Sequence, residues 1–350
     1  MNSTVRIGDS ILGEGHPVYV IAEIGVNHNG DIELAKQLID VAVKSQANAV
    51  KFQTFTAESL TTLDAPKADY QLSTTSSKQS QLDMLRQLEL SSSAHYTLKE
   101  YSDNRGITFL STPFDEAAAD FLESLSVPAY KISSGDLTNL PLIEHVSRKG
   151  KPLIISTGMS TLEEVSNAVD TAEKGDCHEL VLLHCVSNYP AAPVEINLRA
   201  MKTMQEEFNI PIGFSDHTEG IAICVAAVAL GATVVEKHFT LDRNLPGPDH
   251  RASLEPQELE SLIKAIRTVE LSLGDGRKIP SASELNTAKV ARRSIVAATT
   301  IQAGGLLQRE SLTLKRPGTG LSPSMLESVL GKRARVDILR GTLIKLEMLD

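Results

Sequence analysis

The sequence has no long apolar run, no excess of positive charge and little cysteine, and each shortage removes a class of function. Its most apolar stretch, residues 221–235, is 15 residues long and is interrupted by Gly231. A helix that crosses a bilayer needs about 20 apolar residues, so this stretch divides instead into a helix and a following strand. The formal net charge of −10 argues against nucleic acid or an anionic membrane as the main partner. A small anionic substrate stays open, because a few local lysines outweigh a diffuse net charge at short range. The three cysteines, Cys177, Cys185 and Cys224, are an odd number without metal-motif spacing. Cys185 and Cys224 lie in apolar runs and read as small buried hydrophobes. Residues 1–16 are polar and lack the apolar centre of a signal peptide, so the expected compartment is the cytoplasm. No Gly-x-Gly-x-x-Gly follows the first apolar run, which counts against an open dinucleotide-binding sheet.

What is present is a rhythm. With 350 residues, 41% of them hydrophobic and 22% charged, the chain can bury a large core and still carry an appendage. Eight apolar runs of strand length occur at 18–25, 49–55, 107–114, 129–135, 152–158, 180–187, 210–217 and 233–240. Each is followed by a helix-like stretch, and six of the seven start-to-start spacings fall between 22 and 31 residues. Near-continuous apolar strands imply burial on both faces, as in a parallel sheet wrapped by helices. Eight such units predict an α/β fold, a (β/α)8 TIM barrel; a doubly wound open sheet is the alternative.

Polar residues stand at the carboxyl end of every run: Glu23, Lys51 and Gln53, Ser111 and Thr112, Lys131 with Ser133 and Ser134, Ser156 and Thr157, His184 with Ser187 and Asn188, Ser215 and His217, Glu236 and His238. A barrel gathers those ends into one cleft. The spacing between the second and third runs is 58 residues. The surplus, 56–91, is rich in Ser, Thr, Gln and Lys with Tyr70 in its midst, and reads as either a disordered insertion or a lid over the site, with the helix-like portion at 81–90 counting against complete disorder. After Gly274 the rhythm changes, which divides the chain into a catalytic barrel over 1–275, a linker over 276–291 and a small β-rich domain over 292–350. Strands are expected in that last part at 294–298, 312–315 and 335–338.

Two consecutive runs end in histidine, His217 and His238, 21 residues apart. In a parallel βαβ unit those ends are neighbours, so the imidazoles either share a metal ion or are two separately hydrogen-bonded rim histidines. A shell of two imidazoles completed by water or substrate suits a Lewis acid that polarises a carbonyl. Imidazole favours manganese, iron, cobalt or zinc over magnesium, although availability can decide otherwise. Lys51 and Lys131 are either carbonyl nucleophiles or clamps for phosphate and carboxylate. The hydroxyls of Thr112, Ser134, Ser156 and Ser215 beside them suit a small phosphorylated acid. A Schiff-base aldolase using Lys131 is the rival, and it leaves the histidines and hydroxyls idle.

Six segments carry a resemblance: Val20-Ile-Ala-Glu-Ile-Gly-Val-Asn-His-Asn-Gly30, Val50-Lys-Phe-Gln-Thr-Phe55, Leu110-Ser-Thr-Pro-Phe-Asp115, Ser156-Thr-Gly-Met159, Phe214-Ser-Asp-His217 and Glu236-Lys-His238. Together, in this order and over nearly the whole chain, they resemble the sialic acid synthase family. The tail from Lys315-Arg-Pro-Gly318 resembles that family's antifreeze-like SAF domain; a self-standing carbohydrate- or ice-binding module is the other reading of the tail. The resemblance implies a transferase that condenses phosphoenolpyruvate with an N-acetylated hexosamine in its open-chain form, giving a nine-carbon 2-keto sugar acid and phosphate. N-acetylmannosamine is the first acceptor it suggests, and the 2,4-diacetamido-2,4,6-trideoxymannose of legionaminate synthesis is the alternative. The shift of the asparagine in Ser187-Asn188-Tyr189 leaves the two open. The same resemblance makes His217 and His238 ligands of Mn2+ or Mg2+. It makes Lys51, Thr112, Lys131, Ser134, Ser156 and Ser215 contacts of phosphoenolpyruvate, and puts Glu23, Tyr189, Asp249 and Arg316 near the acceptor sugar. Glu23, Lys51 and Lys131 are the catalytic candidates, and Gln53 at the end of its run is a further substrate-binding candidate. Asp136 stands where many members have glutamate and is a candidate base with a shorter reach. Arg316 is expected to come from the partner subunit of a swapped homodimer.

Overall fold

The computed structural model describes residues 3–75 and 79–350. Two compact units divide the chain after Gly274. The first opens with an antiparallel hairpin, β1 (Thr4–Ile7) and β2 (Ser10–Gly13). Eight parallel strands follow: β3 (Tyr19–Gly25), β4 (Ala49–Thr54), β5 (Thr108–Pro113), β6 (Tyr130–Ile132), β7 (Leu153–Ser156), β8 (Leu180–Cys185), β9 (Ile212–Asp216) and β10 (Val234–His238). They pair in the order β5-β4-β3-β10-β9-β8-β7-β6, and the end strands β5 and β6 lie side by side. The sheet is thus rolled into the expected (β/α)8 barrel rather than left open.

The helices wrap it for the reason the sequence rhythm suggested. In α1 (Ile32–Lys44) the buried residues are Ala35, Leu38, Ile39 and Ala42, one stripe at helical spacing, and the Asp31 carboxylate caps the first turn by accepting from the backbone N–H groups of Glu33 and Leu34. The insertion after β4 forms three short helices, α2 (Ala57–Leu60), α3 (Asp69–Thr74) and α4 (Gln81–Leu88). Residues 76–78 of the expected lid lie outside the described residues. The remaining helices are α5 (Ser92–Arg105), α6 (Glu116–Ser124), α7 (Leu140–Ser147), α8 (Leu162–Lys174), α9 (Arg199–Phe208), α10 (Ala222–Ala229) and α11 (Pro256–Leu273).

Strand alternation sorts the core into two layers. Val20, Ala22, Val50, Phe52 and Val235 face the helices, whereas Tyr19, Ile21, Ala49, Leu110, Ala129, Ile154, Val181, Leu183 and Val234 fill the barrel. Val5, Ile7 and Leu12 of the hairpin join that inner layer. The hairpin therefore plugs the amino end of the barrel, although its segment is polar in overall composition and shows no apolar run of strand length. Gly213 of β9 admits no side chain: a Cβ there would lie 2.6 Å from Leu183 Cδ2 and from the Val234 carbonyl oxygen. Among the described residues no helix is long and apolar enough to cross a membrane.

The second unit, Asp275–Asp350, contains α12 (Glu284–Ala291), the antiparallel pair β11 (Ser294–Ala297) and β12 (Leu312–Lys315), and α13 (Leu326–Val329). Ile295, Ala297, Leu312, Val329, Ile338, Ile344 and Leu349 form its core. Residues 276–291, read from the sequence as a linker, cluster with this unit. The third strand expected at 335–338 does not form; Ile338 makes a single bridge to Ile301. Ile338 is apolar because it belongs to the core, and the run is too short to sustain a ladder.

Candidate active site

The inward-facing alternation of the barrel does not stop at its hydrophobic layer. Two residues beyond Ile21, Ala49, Leu110, Ala129, Ile154, Leu183, Gly213 and Val234 come Glu23, Lys51, Thr112, Lys131, Ser156, Cys185, Ser215 and Glu236. Every strand thus places one polar or sulfur-bearing side chain at the same level. These eight form the floor of a cavity of about 490 Å³, whose lining also includes Gln53, Ser134, Tyr189, His217, His238 and Asp249.

On that floor the charges interlock. Lys51 Nζ lies 2.9 Å from Glu23 Oε2 and 3.7 Å from Glu236 Oε2, and donates to Thr112 Oγ1 at 3.0 Å. Lys131 Nζ lies 3.9 Å from Glu236 Oε1 and donates to Ser156 Oγ at 2.6 Å and to the Ile132 carbonyl at 2.9 Å. Ser215 Oγ donates to Glu236 Oε1 at 2.9 Å. Glu236 therefore sits between two ammonium groups. Glu23 Oε2 and Glu236 Oε2 meet Lys51 as ion pairs without an aligned hydrogen bond. Each keeps acceptor capacity for a substrate proton.

Burial and charge then set the protonation states. Burial pushes the Glu23 carboxyl up to about 7 against the pull of Lys51, with Glu236 adding to the rise. Burial also acts to raise Glu236, but Lys131 and Lys51 reverse it and hold that carboxyl below its usual range. Burial lowers Lys131, opposed by Glu236; the same burial acts on Lys51, where Glu23 and Glu236 outweigh it and raise the ammonium. Asp249 is pushed up to about 6 by burial, partly offset by His217. Two carboxyls and two lysines in one cleft thus titrate in opposite directions, a pattern typical of functional sites.

The two histidines stand over β9 and β10. Their ring centroids are 5.4 Å apart, and Tyr189 packs on His217 at 4.1 Å and edge-on to His238 at 5.7 Å. His217 Nδ1 lies 2.8 Å from the Val186 carbonyl oxygen and donates to it, so in the neutral ring Nε2 is the lone pair. Burial acts to lower the pKa of this ring, but Cys185, the Val186 carbonyl and Glu236 reverse that effect and raise it. His238 Nδ1 is buried with no hydrogen-bond partner, and burial followed by the nearby positive groups keeps that ring neutral. Among the described residues no group of three or more His, Cys, Asp or Glu side chains gathers as a metal site. The chain itself offers at most two imidazoles to a cation here.

Behind them lies a second layer. Asp216 and Lys237 occupy the opposite face of β9 and β10 and pair at 2.7 Å with both side chains fully buried. Asp216 also accepts from Thr218 N at 2.9 Å, Thr218 Oγ1 at 3.1 Å and Cys224 Sγ at 3.0 Å, while Lys237 reaches the Thr218 carbonyl.

Of the residues singled out from sequence, Glu23, Lys51, Gln53, Thr112, Lys131, Ser134, Ser156, Tyr189, Ser215, His217, His238 and Asp249 all line the one cavity. Asp136 does not. It lies in a short 3-10 turn, where its carboxylate accepts from Ser133 Oγ at 2.6 Å and from Asn139 Nδ2. Arg316 belongs to the second unit and is exposed just after β12. His184, grouped with the strand ends by sequence, faces away from the cleft; its Nε2 lies 2.6 Å from the Ile196 carbonyl and its ring against Phe214. Strand parity could have shown this, since Leu183 is inward. The same parity marks Cys185 and Glu236, which sequence reasoning left without a role. Cys185 Sγ, read as a buried hydrophobe, lines the cavity 3.7 Å from His217 Nδ1.

The comparisons with known proteins agree with the fold. The NeuB family matches residues 38–278 and the SAF domain matches residues 292–350. The chain is 46% identical to an N,N'-diacetyllegionaminic acid synthase of Legionella pneumophila, over 97% of this chain and 96% of that protein. It is 38% identical to the human N-acetylneuraminate-9-phosphate synthase, over 97% of this chain and 94% of that one. Among solved structures, an N-acetylneuraminic acid synthetase from Leptospira borgpetersenii, in complex with citrate, superposes with a TM-score of 0.73 at 36% identity, covering 82% of this chain and 95% of that one. The chain belongs to the NeuB family of sialic, legionaminic and pseudaminic acid synthases, with a SAF domain at its C-terminus.

Proposed function

We propose that this protein condenses phosphoenolpyruvate with the open-chain form of an N-acetylated hexosamine and water, releasing phosphate and a nine-carbon 2-keto sugar acid. The observation that carries the reading is the floor of the cleft, where Lys51 and Lys131 flank Glu236 among the hydroxyls of Thr112, Ser156 and Ser215. Two ammonium groups and several rotatable hydroxyl donors match a compact trianion better than they match a neutral sugar. The C3 carbon of phosphoenolpyruvate bonds to the aldehyde carbon, whose oxygen takes up a proton. Water then adds at C2 and loses a proton, and the C2–O bond to phosphate breaks. Glu23, with its carboxyl near 7, is divided between both forms at neutral pH and is suited to hand over or accept one of these protons.

His217 and His238 fit a divalent cation, Mn2+ or Mg2+, that shares its shell with substrate and water: one ring presents Nε2 and the other has an unpaired buried nitrogen. Such an ion supplies Lewis-acid polarisation of the aldehyde when bound. The swapped homodimer and the reach of Arg316 to a partner's acceptor belong to the same proposal. Mixing Arg316→Ala with His217→Ala protein should restore activity as subunits exchange, and exchange without recovery removes that role.

Support for the 2,4-diacetamido acceptor over N-acetylmannosamine comes from two relatives at 46% identity, from Legionella pneumophila and Campylobacter jejuni, both named N,N'-diacetyllegionaminic acid synthase. The test is phosphate release from phosphoenolpyruvate with each sugar in turn. Absence of release with both sugars sinks the proposal. Borohydride trapping of pyruvate on Lys131 would establish the Schiff-base rival instead.

A further inference from the structure

The cavity has two kinds of wall. Over the carboxyl ends of β8, β9 and β10 stand Tyr189, His217, His238 and Asp249, all with polar atoms. Over the ends of β3, β4 and β5 the inserted helix α4 presents Met84, Leu85 and Leu88, which line the cavity together with Val26 and Phe114, while Gln81 at the start of α4 and Tyr70 and Gln71 of α3 add polar atoms to the same insertion's side. The apolar side chains of this wall belong to a separate cluster with Phe55, Ala57 and Leu82. Met84, Leu85 and Leu88 are 3%, 9% and 6% exposed, so the wall is anchored by its own packing rather than laid loosely over the mouth. The cationic side chains among the described lining residues are Lys51 and Lys131, and both are committed to the floor.

We propose that this face of α4 is a specificity wall for the far end of the acceptor sugar, and that it selects a methyl-terminated, uncharged tail over a phosphorylated one. The inference rests on the proposed condensation. An open-chain sugar whose aldehyde lies at the two imidazoles extends its other end across the mouth toward β3–β5. A methyl group there meets Met84, Leu85 and Leu88 and leaves no buried donor unpaired. A phosphate there would lose water against apolar carbon, and among the described residues of this wall no cationic side chain stands to receive it; burying an unpaired charge is strongly unfavourable. A hydroxyl falls between, because an apolar wall rejects an added hydroxyl only weakly.

The test compares initial rates with three acceptors: 2,4-diacetamido-2,4,6-trideoxymannose, N-acetylmannosamine and N-acetylmannosamine 6-phosphate. The wild-type protein is expected to order their kcat/KM in that sequence, with the phosphate at least 100-fold below the deoxy sugar. Leu85→Gln and Met84→Gln should each lower kcat/KM for the deoxy sugar about tenfold, leave the KM for phosphoenolpyruvate unchanged and narrow the gap to N-acetylmannosamine. Leu85→Met should restore the preference, which separates a lost contact from a lost fold. A wild-type preference for the 6-phosphate overturns the wall while leaving the condensation standing. Equal loss toward all three sugars in Leu85→Gln, with Leu85→Met no better, also overturns it. No phosphate release with any of the three overturns the condensation itself, and the wall with it.

Discussion

Lys237 and Asp216 form an ion pair of 2.7 Å with neither side chain exposed, and each immediately precedes one of the two cleft histidines in the sequence. The pair joins β9 to β10 on the face opposite the cleft, where the two residues are register partners. Removing one partner leaves a charge without compensation in a place water does not reach. Lys237→Met should therefore destabilise the protein by about 3–5 kcal/mol. The double change Asp216→Leu with Lys237→Met should recover part of that loss. Urea unfolding midpoints decide it: equal midpoints for Lys237→Met and wild type would show that the pair contributes nothing.

The lysines of the floor should behave differently from each other. Lys51 is held by two carboxylates, so Lys51→Ala leaves Glu23 without its ammonium partner and takes one of two from Glu236, as well as removing a substrate contact. Lys131→Ala takes only the second ammonium from Glu236, which keeps Lys51. Each lost charge-assisted contact is worth roughly 1.5–3 kcal/mol, about 10- to 150-fold in kcat/KM for phosphoenolpyruvate. Lys51→Ala should fall further than Lys131→Ala and also lose thermal stability. A variant that binds phosphoenolpyruvate normally but fails with the sugar would reverse the assignment of the two substrates.

For the histidines, the expected outcome is loss of divalent-ion binding. Titration calorimetry with Mn2+ on the phosphoenolpyruvate-bound protein should show one site, absent in His217→Ala and in His238→Ala. Unchanged binding in either variant removes the pair as the ligand set.

Acid should weaken the fold through His28. The residue is 1% exposed, its Nδ1 accepts from Gly30 N at 2.9 Å, and burial, reinforced by His95 and His250, lowers its pKa to about 3. The unfolded chain binds that proton near 6.5 while the folded chain refuses it until about 3, so this share of stability is present above 6.5 and is lost as pH falls toward 3. Between pH 7.5 and 5 the His28 contribution to the loss is about 2 kcal/mol. His28→Asn should flatten the pH dependence by that amount in denaturant unfolding. An unchanged slope would show that His28 does not carry it.

Much of this architecture is legible in the amino-acid sequence alone. The recurrence of apolar runs at the length of a β-α unit determined the barrel, because strands buried on both faces need a covering of helices, and eight such units close on themselves. Which end of each strand is polar determined where the cleft lies. Local sequence also specified the helix starts, as Asp31 and Thr161 show by capping α1 and α8. Tertiary structure alone decided the rest. Phase along a strand is a matter of one residue, and only pairing sets it: that is why His184 points away and Cys185 points in. The plug by residues 4–13 depends on which surface a polar-looking hairpin meets, and the apolar wall on where α4 comes to rest. Asp136, adjacent in sequence to the cleft, is turned aside by a hydrogen bond to Ser133. These are contacts between segments far apart in the chain or choices between two faces of one strand, and local pattern carries no information about either.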